Sequence, residues 1–155
     1  MAYTYREATT ADLPAILGLI KELALFEKAP EQVTNTVERM EQEQDLFDTI
    51  VVEEESGSIV AIALYFYAYS TWVGKTLYLD DLYVQPAHRG HGIGSALLNQ
   101  LFDIARAADC QRVRWQVLDW NEPAIQLYKK SGATLDGSWY NCDFDRQGIL
   151  EFGLK

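Results

Sequence analysis

The chain has 155 residues, a net charge of −10 and 48% hydrophobic residues. Such a length suits one domain, 1–155, burying about 70% of its unfolded surface without disulfides or metal. The acidity argues against a general nucleic-acid binder, which needs a basic face for phosphates, and the longest apolar run, IVAIALYFYAY, is too short to cross a membrane.

The opening MAYTYREATTADL has no basic segment followed by an apolar core, so a cytoplasmic protein is expected. YTYREA, residues 3–8, reads as a first strand. Asp12 then caps a helix with Pro14 in its first turn, where a missing N–H does no harm. Leu13, Ile16, Leu17, Ile20, Leu23 and Ala24 give that helix a core face. EQVTNTVERMEQEQ, residues 31–44, reads as a second, more polar helix. DTIVVEEE, the turn SG and SIVAIALYFYAYS predict an antiparallel hairpin, and KTLYLDDLYV after Gly74 the next strand.

A glycine-rich turn and the helix SALLNQLFDIARAA follow. RVRWQVL, residues 112–118, predicts another strand, NEPAIQLYKKSG a helix capped by Asn121 and closed at Gly132, and SWYNCDF, residues 138–144, a last strand. A meander of strands giving way to alternating strands and helices predicts an α/β fold with a mixed sheet. Cys110 and Cys142 lie outside any ligand or redox spacing and read as free thiols. With only His88 and His91 beside them, no metal is expected.

The turn spends Gly90, Gly92 and Gly94 between a strand and a helix, with Arg89 in front and Ser95 at the expected cap. Glycines there let backbone N–H groups approach an anion at the positive end of a helix, and a guanidinium suits phosphate oxygens. A plain tight entry into the helix would need glycines as well. The segment is neither a Walker A loop nor the dinucleotide GxGxxG. Arg89, Ser95 and the strand–turn–helix setting together favour a pyrophosphate.

HRGHGIGSALL resembles the Q/R-x-x-G-x-G/A signature of the GNAT N-acetyltransferases, whose turn holds the pyrophosphate of coenzyme A. The likeness runs from YREATTADL to NCDF. LIKELALFEKAPEQV, YSTWVGKTLYLDDLYV and VLDWNEPAIQLYKKSGA narrow it to the diamine and thialysine N-acetyltransferase branch. It implies a single GNAT domain with a mostly antiparallel central sheet flanked by helices on both faces. It also implies a homodimer, with SWYNCDF near the interface.

The implied reaction is direct attack of an amine on the acetyl thioester of acetyl-CoA, without metal. An alkylammonium titrates near pH 10.4 in water, so a base or a desolvating pocket must help. By resemblance Asp80 is the candidate base, acting through water, at a position where the family usually has glutamate. On the residues alone, Asp80 or Asp81 could equally be a surface acid of the strand. A regular strand sends only one of two neighbours into a cleft, and a bulge would relax that limit.

Tyr128 matches the family tyrosine and is the candidate acid, although the pattern of its helix also fits a packed aromatic. A tyrosine near pKa 10 donating to a thiolate near 8.5 is uphill by roughly 2 kcal/mol, so a strengthening hydrogen bond is an alternative to full transfer. The resemblance assigns cofactor binding to Leu82, Tyr83 and Val84 through their backbone, to Arg89, Gly90, His91, Gly92, Ile93, Gly94 and Ser95 in the turn, and to Asn121 and Tyr128.

Glu27 and Trp72, with Asp80 and Asp81, would face the acceptor amine. A carboxylate and an aromatic face both suit an ammonium group, while a solvated helix-end glutamate and a buried tryptophan are the plainer readings. Ser70 stands where the polyamine enzymes carry an aspartate, and the loop GATLDGSW is shorter and poorer in acids than theirs. Both differences point to a lysine-like acceptor. A non-catalytic acetyl-CoA-binding module and a protein N-acetyltransferase are the alternatives.

Overall fold

The computed structural model describes residues 2–154. The chain divides between Gln116 and Val117 into two compact units. The first holds a five-stranded sheet in the order β1 (Tyr3–Glu7), β2 (Asp48–Glu54), β3 (Ile59–Ser70), β4 (Gly74–Val84) and β5 (Arg112–Arg114). The first four strands pair antiparallel and β5 runs parallel to β4. The mixed, mostly antiparallel sheet is the expected one.

Helices cover both faces. Helix α1 (Leu13–Phe26) packs Leu13, Ile16, Leu17 and Leu19 with Met40, Val51, Ile62, Leu64 and Tyr83. On the other face α3 (Ile93–Ala107) packs Ile93, Leu97, Leu101 and Ala105 with Ile50, Val52, Ala61, Ala63, Leu77 and Leu79. Alternation along β2 and β3 sends neighbouring residues to opposite helices, so the sheet core consists of nearly continuous apolar runs.

Several expectations change in detail. Asp12 stands at the start of α1, but its carboxylate turns back to accept from the Thr9 N–H at 2.7 Å and from both terminal nitrogens of Arg6. The helix expected over 31–44 is broken. A 3-10 turn at Pro30–Gln32 precedes α2, which covers only Val37–Gln42, and a second 3-10 turn follows at Gln44–Leu46. Thr36 explains where α2 begins: its hydroxyl accepts from the Arg39 N–H, and such side chains favour caps over helix interiors. Helix α3 starts two residues earlier than expected, with Gly92 at its N-cap, which places Ser95 inside the first turn.

Strand β5 stops at Arg114, where its pairing with β4 ends at Tyr78. The second unit contains α4 (Glu122–Ser131), closed by Gly132 at φ +103°, and α5 (Arg146–Glu151), capped by Asp145. SWYNCDF forms no strand: residues 138–144 are all exposed and irregular. Its aromatic, strand-prone composition acts only where a neighbouring strand satisfies the backbone, and none does so among the described residues. No helix among the described residues is long and apolar enough to cross a membrane, and Cys110 and Cys142 are free thiols.

Candidate active site

The site grows from one irregularity in β4. Leu64 of β3 faces Asp81, yet the next residue, Tyr65, faces Leu79, so Asp80 is an extra residue in the ladder. A bulge of this kind shifts the phase of the strand. Leu77 and Leu79 pack towards α3, whereas Tyr83, two pairs of residues beyond Leu79, packs towards α1. Asp81 shares the α1 face with its cross-strand partner Leu64. Asp80 is exposed and Asp81 partly buried.

Glu27 joins them from the C-terminal end of α1. The three carboxylates repel one another with no printed cation between them. Burial raises the Asp81 carboxyl to about 7, with the charges of Asp80 and Glu27 adding to the effect. Burial also raises Asp80, despite its access to solvent, and raises Glu27, helped by the charge of Asp80. Desolvation and like charge act in the same direction on all three, and groups so coupled titrate as a set.

The bulge lies just past the point where β5 leaves β4. Beyond Tyr78 the described strands give β4 a ladder partner only on its β3 side, so backbone groups of the Leu79–Val84 edge face outward. Among these are Leu82, Tyr83 and Val84. The Val84 carbonyl already accepts from Arg89 Nε at 2.9 Å, and the Arg89 guanidinium lies over the Tyr83 ring at 5.7 Å.

The strand leads through a 3-10 turn at Pro86–His88 into the glycines. Gly90 and Gly92 have φ of +80° and +79°, a region that side chains avoid. Gly94 has ordinary helical geometry, so no backbone strain requires it. A methyl group at any of the three would meet no protein atom within 4 Å. The turn is thus an open cradle floored by backbone, ahead of the first turn of α3, whose N–H groups lack intrahelical partners. His91 is exposed and its Nδ1–H reaches the His88 carbonyl at 3.1 Å, while Ile93 is buried and anchors the helix start. The donor set fits a pyrophosphate.

Two expected residues lie away from the carboxylates. Trp72 is 79% exposed in the β3–β4 turn, next to Ser70, whose hydroxyl accepts from the Trp72 N–H. At about 3.3 Å per residue, the start of β4 is roughly 20 Å along the strand from the bulge. Asn121 and Tyr128 belong to the second unit. Asn121 occupies the N-cap of α4 without a side-chain cap bond. Tyr128 is partly buried, which raises its hydroxyl above the ordinary range. The prominence of Asp81 over Asp80 was not foreseen. Among the described residues no group of three His, Cys, Asp or Glu could hold a metal ion.

Residues 17–133 match the model of the Acetyltransferase (GNAT) family. The chain is 37% identical to a thialysine N-epsilon-acetyltransferase of Sus scrofa, over 97% of this chain and 96% of that protein. It is 35% identical to the enzyme of the same name from Caenorhabditis elegans, over 88% of each. Among solved structures, a predicted acetyltransferase with acetyl-CoA from Clostridium acetobutylicum aligns over 92% of this chain and 96% of that one, with a TM-score of 0.74 at 20% identity. A Trypanosoma brucei acetyltransferase aligns over 92% and 100%, with a TM-score of 0.73 at 22% identity. These two likenesses concern the fold.

Proposed function

Since the chain belongs to the GNAT acetyltransferase family, we propose that it moves an acetyl group from acetyl-CoA to a primary amine of a small molecule, with a thialysine- or lysine-like amino acid preferred over a polyamine. The observation that carries this reading is the trio Glu27, Asp80 and Asp81, gathered beside an outward-facing strand edge and an open glycine cradle. A non-catalytic cofactor-binding module needs the cradle and the edge but has no use for carboxylates held against their own repulsion.

The cradle residues Arg89 to Ser95 would hold the pyrophosphate through backbone N–H groups and the Arg89 guanidinium. The β4 edge at Leu82, Tyr83 and Val84 would bind the pantetheine amides, and Asn121 would add a contact from α4. When bound, acetyl-CoA supplies the thioester whose acetyl group the amine accepts.

Glu27 and Asp81 attract an ammonium group into the site. The Asp80–Asp81 pair takes its proton, with Asp80 working through water at the exposed side. A base titrating near 7 is matched to neutral pH, where it is both available and strong enough. Tyr128, with its hydroxyl raised by burial, serves as a hydrogen-bond donor to the departing sulfur more readily than as a full acid. A homodimer would give exposed Trp72 of one chain a route to the acceptor of the other. The chain 1–155 would act as one domain in the cytoplasm, without nucleic-acid or membrane partners.

Thiol release from acetyl-CoA tests the proposal across thialysine, lysine, putrescine, spermidine, spermine and a lysine peptide. Turnover is expected to be fastest with thialysine or lysine. Fastest turnover with spermidine would overturn the preference, and fastest turnover with the peptide would favour a protein acetyltransferase. Silence on all amines with acetyl-CoA still bound would leave only the binding module.

A further inference from the structure

A turn made of glycines has little stiffness of its own, because each glycine loses more conformational freedom on ordering than any other residue. Downstream, Ile93 and Leu97 bury themselves under α3 and fix the helix. Upstream, the turn is gripped by a part of the molecule remote in sequence. Tyr3 of β1 and Glu54 of β2 are direct cross-strand partners, and both reach His88, two residues before the first left-handed glycine. The Tyr3 hydroxyl lies 3.1 Å from His88 Nδ1, and Glu54 Oε2 lies 3.8 Å from Nε2.

One tautomer serves both neighbours: Tyr3 donates to Nδ1, and the Nε2–H points towards the Glu54 carboxylate. The Tyr3 ring also meets the His88 ring edge-on at 5.8 Å and the His91 ring at 6.0 Å. His91 in turn donates to the His88 carbonyl. The His88 side chain is only 12% exposed. The clamp thus touches both histidines that bracket Arg89 and Gly90.

We propose that His88 is a positioning residue for the cofactor: held by Tyr3 and Glu54, it pre-orders the glycine cradle for the pyrophosphate without touching the reacting atoms. The inference rests on the reading of the cradle as the acetyl-CoA site. Its energetic logic is preorganisation. A cradle already ordered before binding loses less entropy when the ligand arrives, so loosening the clamp weakens affinity and leaves the chemistry of the bound complex intact.

The test compares wild type, His88→Ala, His88→Asn and Tyr3→Phe, measuring coenzyme A affinity by calorimetry, KM for acetyl-CoA, kcat at saturation, and melting temperature. His88→Ala should weaken coenzyme A binding and raise KM about tenfold with kcat within about twofold, as expected for lost preorganisation. His88→Asn, which keeps an acceptor where Nδ1 stood, should recover most of the loss. Tyr3→Phe keeps the ring and removes only the hydroxyl, so it carries the test if His88→Ala fails to fold. It should raise KM several-fold by itself and add nothing to His88→Ala, since both remove the same bond.

Unchanged affinity in the variants, or a loss that merely follows the fall in melting temperature, would overturn the positioning role while leaving the cradle assignment intact. Failure of the wild-type protein to bind coenzyme A would overturn both.

Discussion

Two groups of acids in this chain have opposite surroundings, and the contrast shows what the protein does with charge. At the entry to α1, Asp12 and Glu53 share the guanidinium of Arg6, and the Thr9 N–H completes the set. The Arg6 hydrogen bonds, with that N–H, hold the Asp12 carboxyl down at about 2. At the β4 bulge, Glu27, Asp80 and Asp81 face one another, and the Asp81 carboxyl rises to about 7. The same side-chain type is thus placed at opposite ends of its range by its neighbours. The first arrangement ties β1, β2 and α1 together. The second costs stability and is suited to holding a cation and moving a proton.

The largest expected effect comes from breaking the second group. Asp81→Asn should lower kcat/KM by about 10²-fold or more, the usual range for loss of a general base, while the protein becomes more stable. The sign follows from linkage. Asp81 titrates higher in the folded state than unfolded, so its ionisation opposes folding above pH 7. Removing that charge should gain about 2 kcal/mol at pH 8 and nothing near pH 3. Paired kinetics and denaturant melts check this, and a variant that loses both activity and stability would break the contrast.

Asp12→Asn should do the reverse, costing about 2 kcal/mol at neutral pH and leaving kcat unchanged. Because the folded Asp12 carboxyl is depressed, its contribution is complete above the unfolded value of 3.8 and disappears as pH falls towards 2. The stability difference between wild type and variant should therefore close across that window in acid melts. In wild type, kcat/KM should rise with pH up to about 7 as the bulge acids ionise. The smallest effect is Glu27→Gln, which removes one of the charges raising Asp81 and should move that limb to lower pH by less than about one unit. An unmoved limb would mean that Glu27 is a bystander.

Much of this was legible beforehand, because periodicity carries the helices α1 and α3 and the central strands. Even the bulge left a trace. In LYLDDLYV the residues facing α3 run Leu77, Leu79, Leu82, Val84, with a step of three where the others are two. What the sequence hid depends on contacts across long separations. Nothing local announces that Tyr3 and Glu54 meet His88, or that crowding raises Asp81 more than Asp80. Strand propensity misled at SWYNCDF, and helix α5 had no periodic signal over its six residues. The glycines themselves split by cause: Gly90 and Gly92 are required by their own φ, whereas Gly94 is explained only by what the cradle admits.

The bulge also has a consequence for how such a gene can change. Asp80 adds no apolar surface, yet it keeps the reading frame of the pleat. Deleting it would rotate everything from Asp81 to Val84 through half a turn, sending Asp81 towards the apolar layer under α3 and Leu82 towards α1. Replacement of the acid costs only its chemistry, but removal of the residue would scramble the core. Among descendants of this chain, position 80 is free to drift in identity while the length of β4 is not.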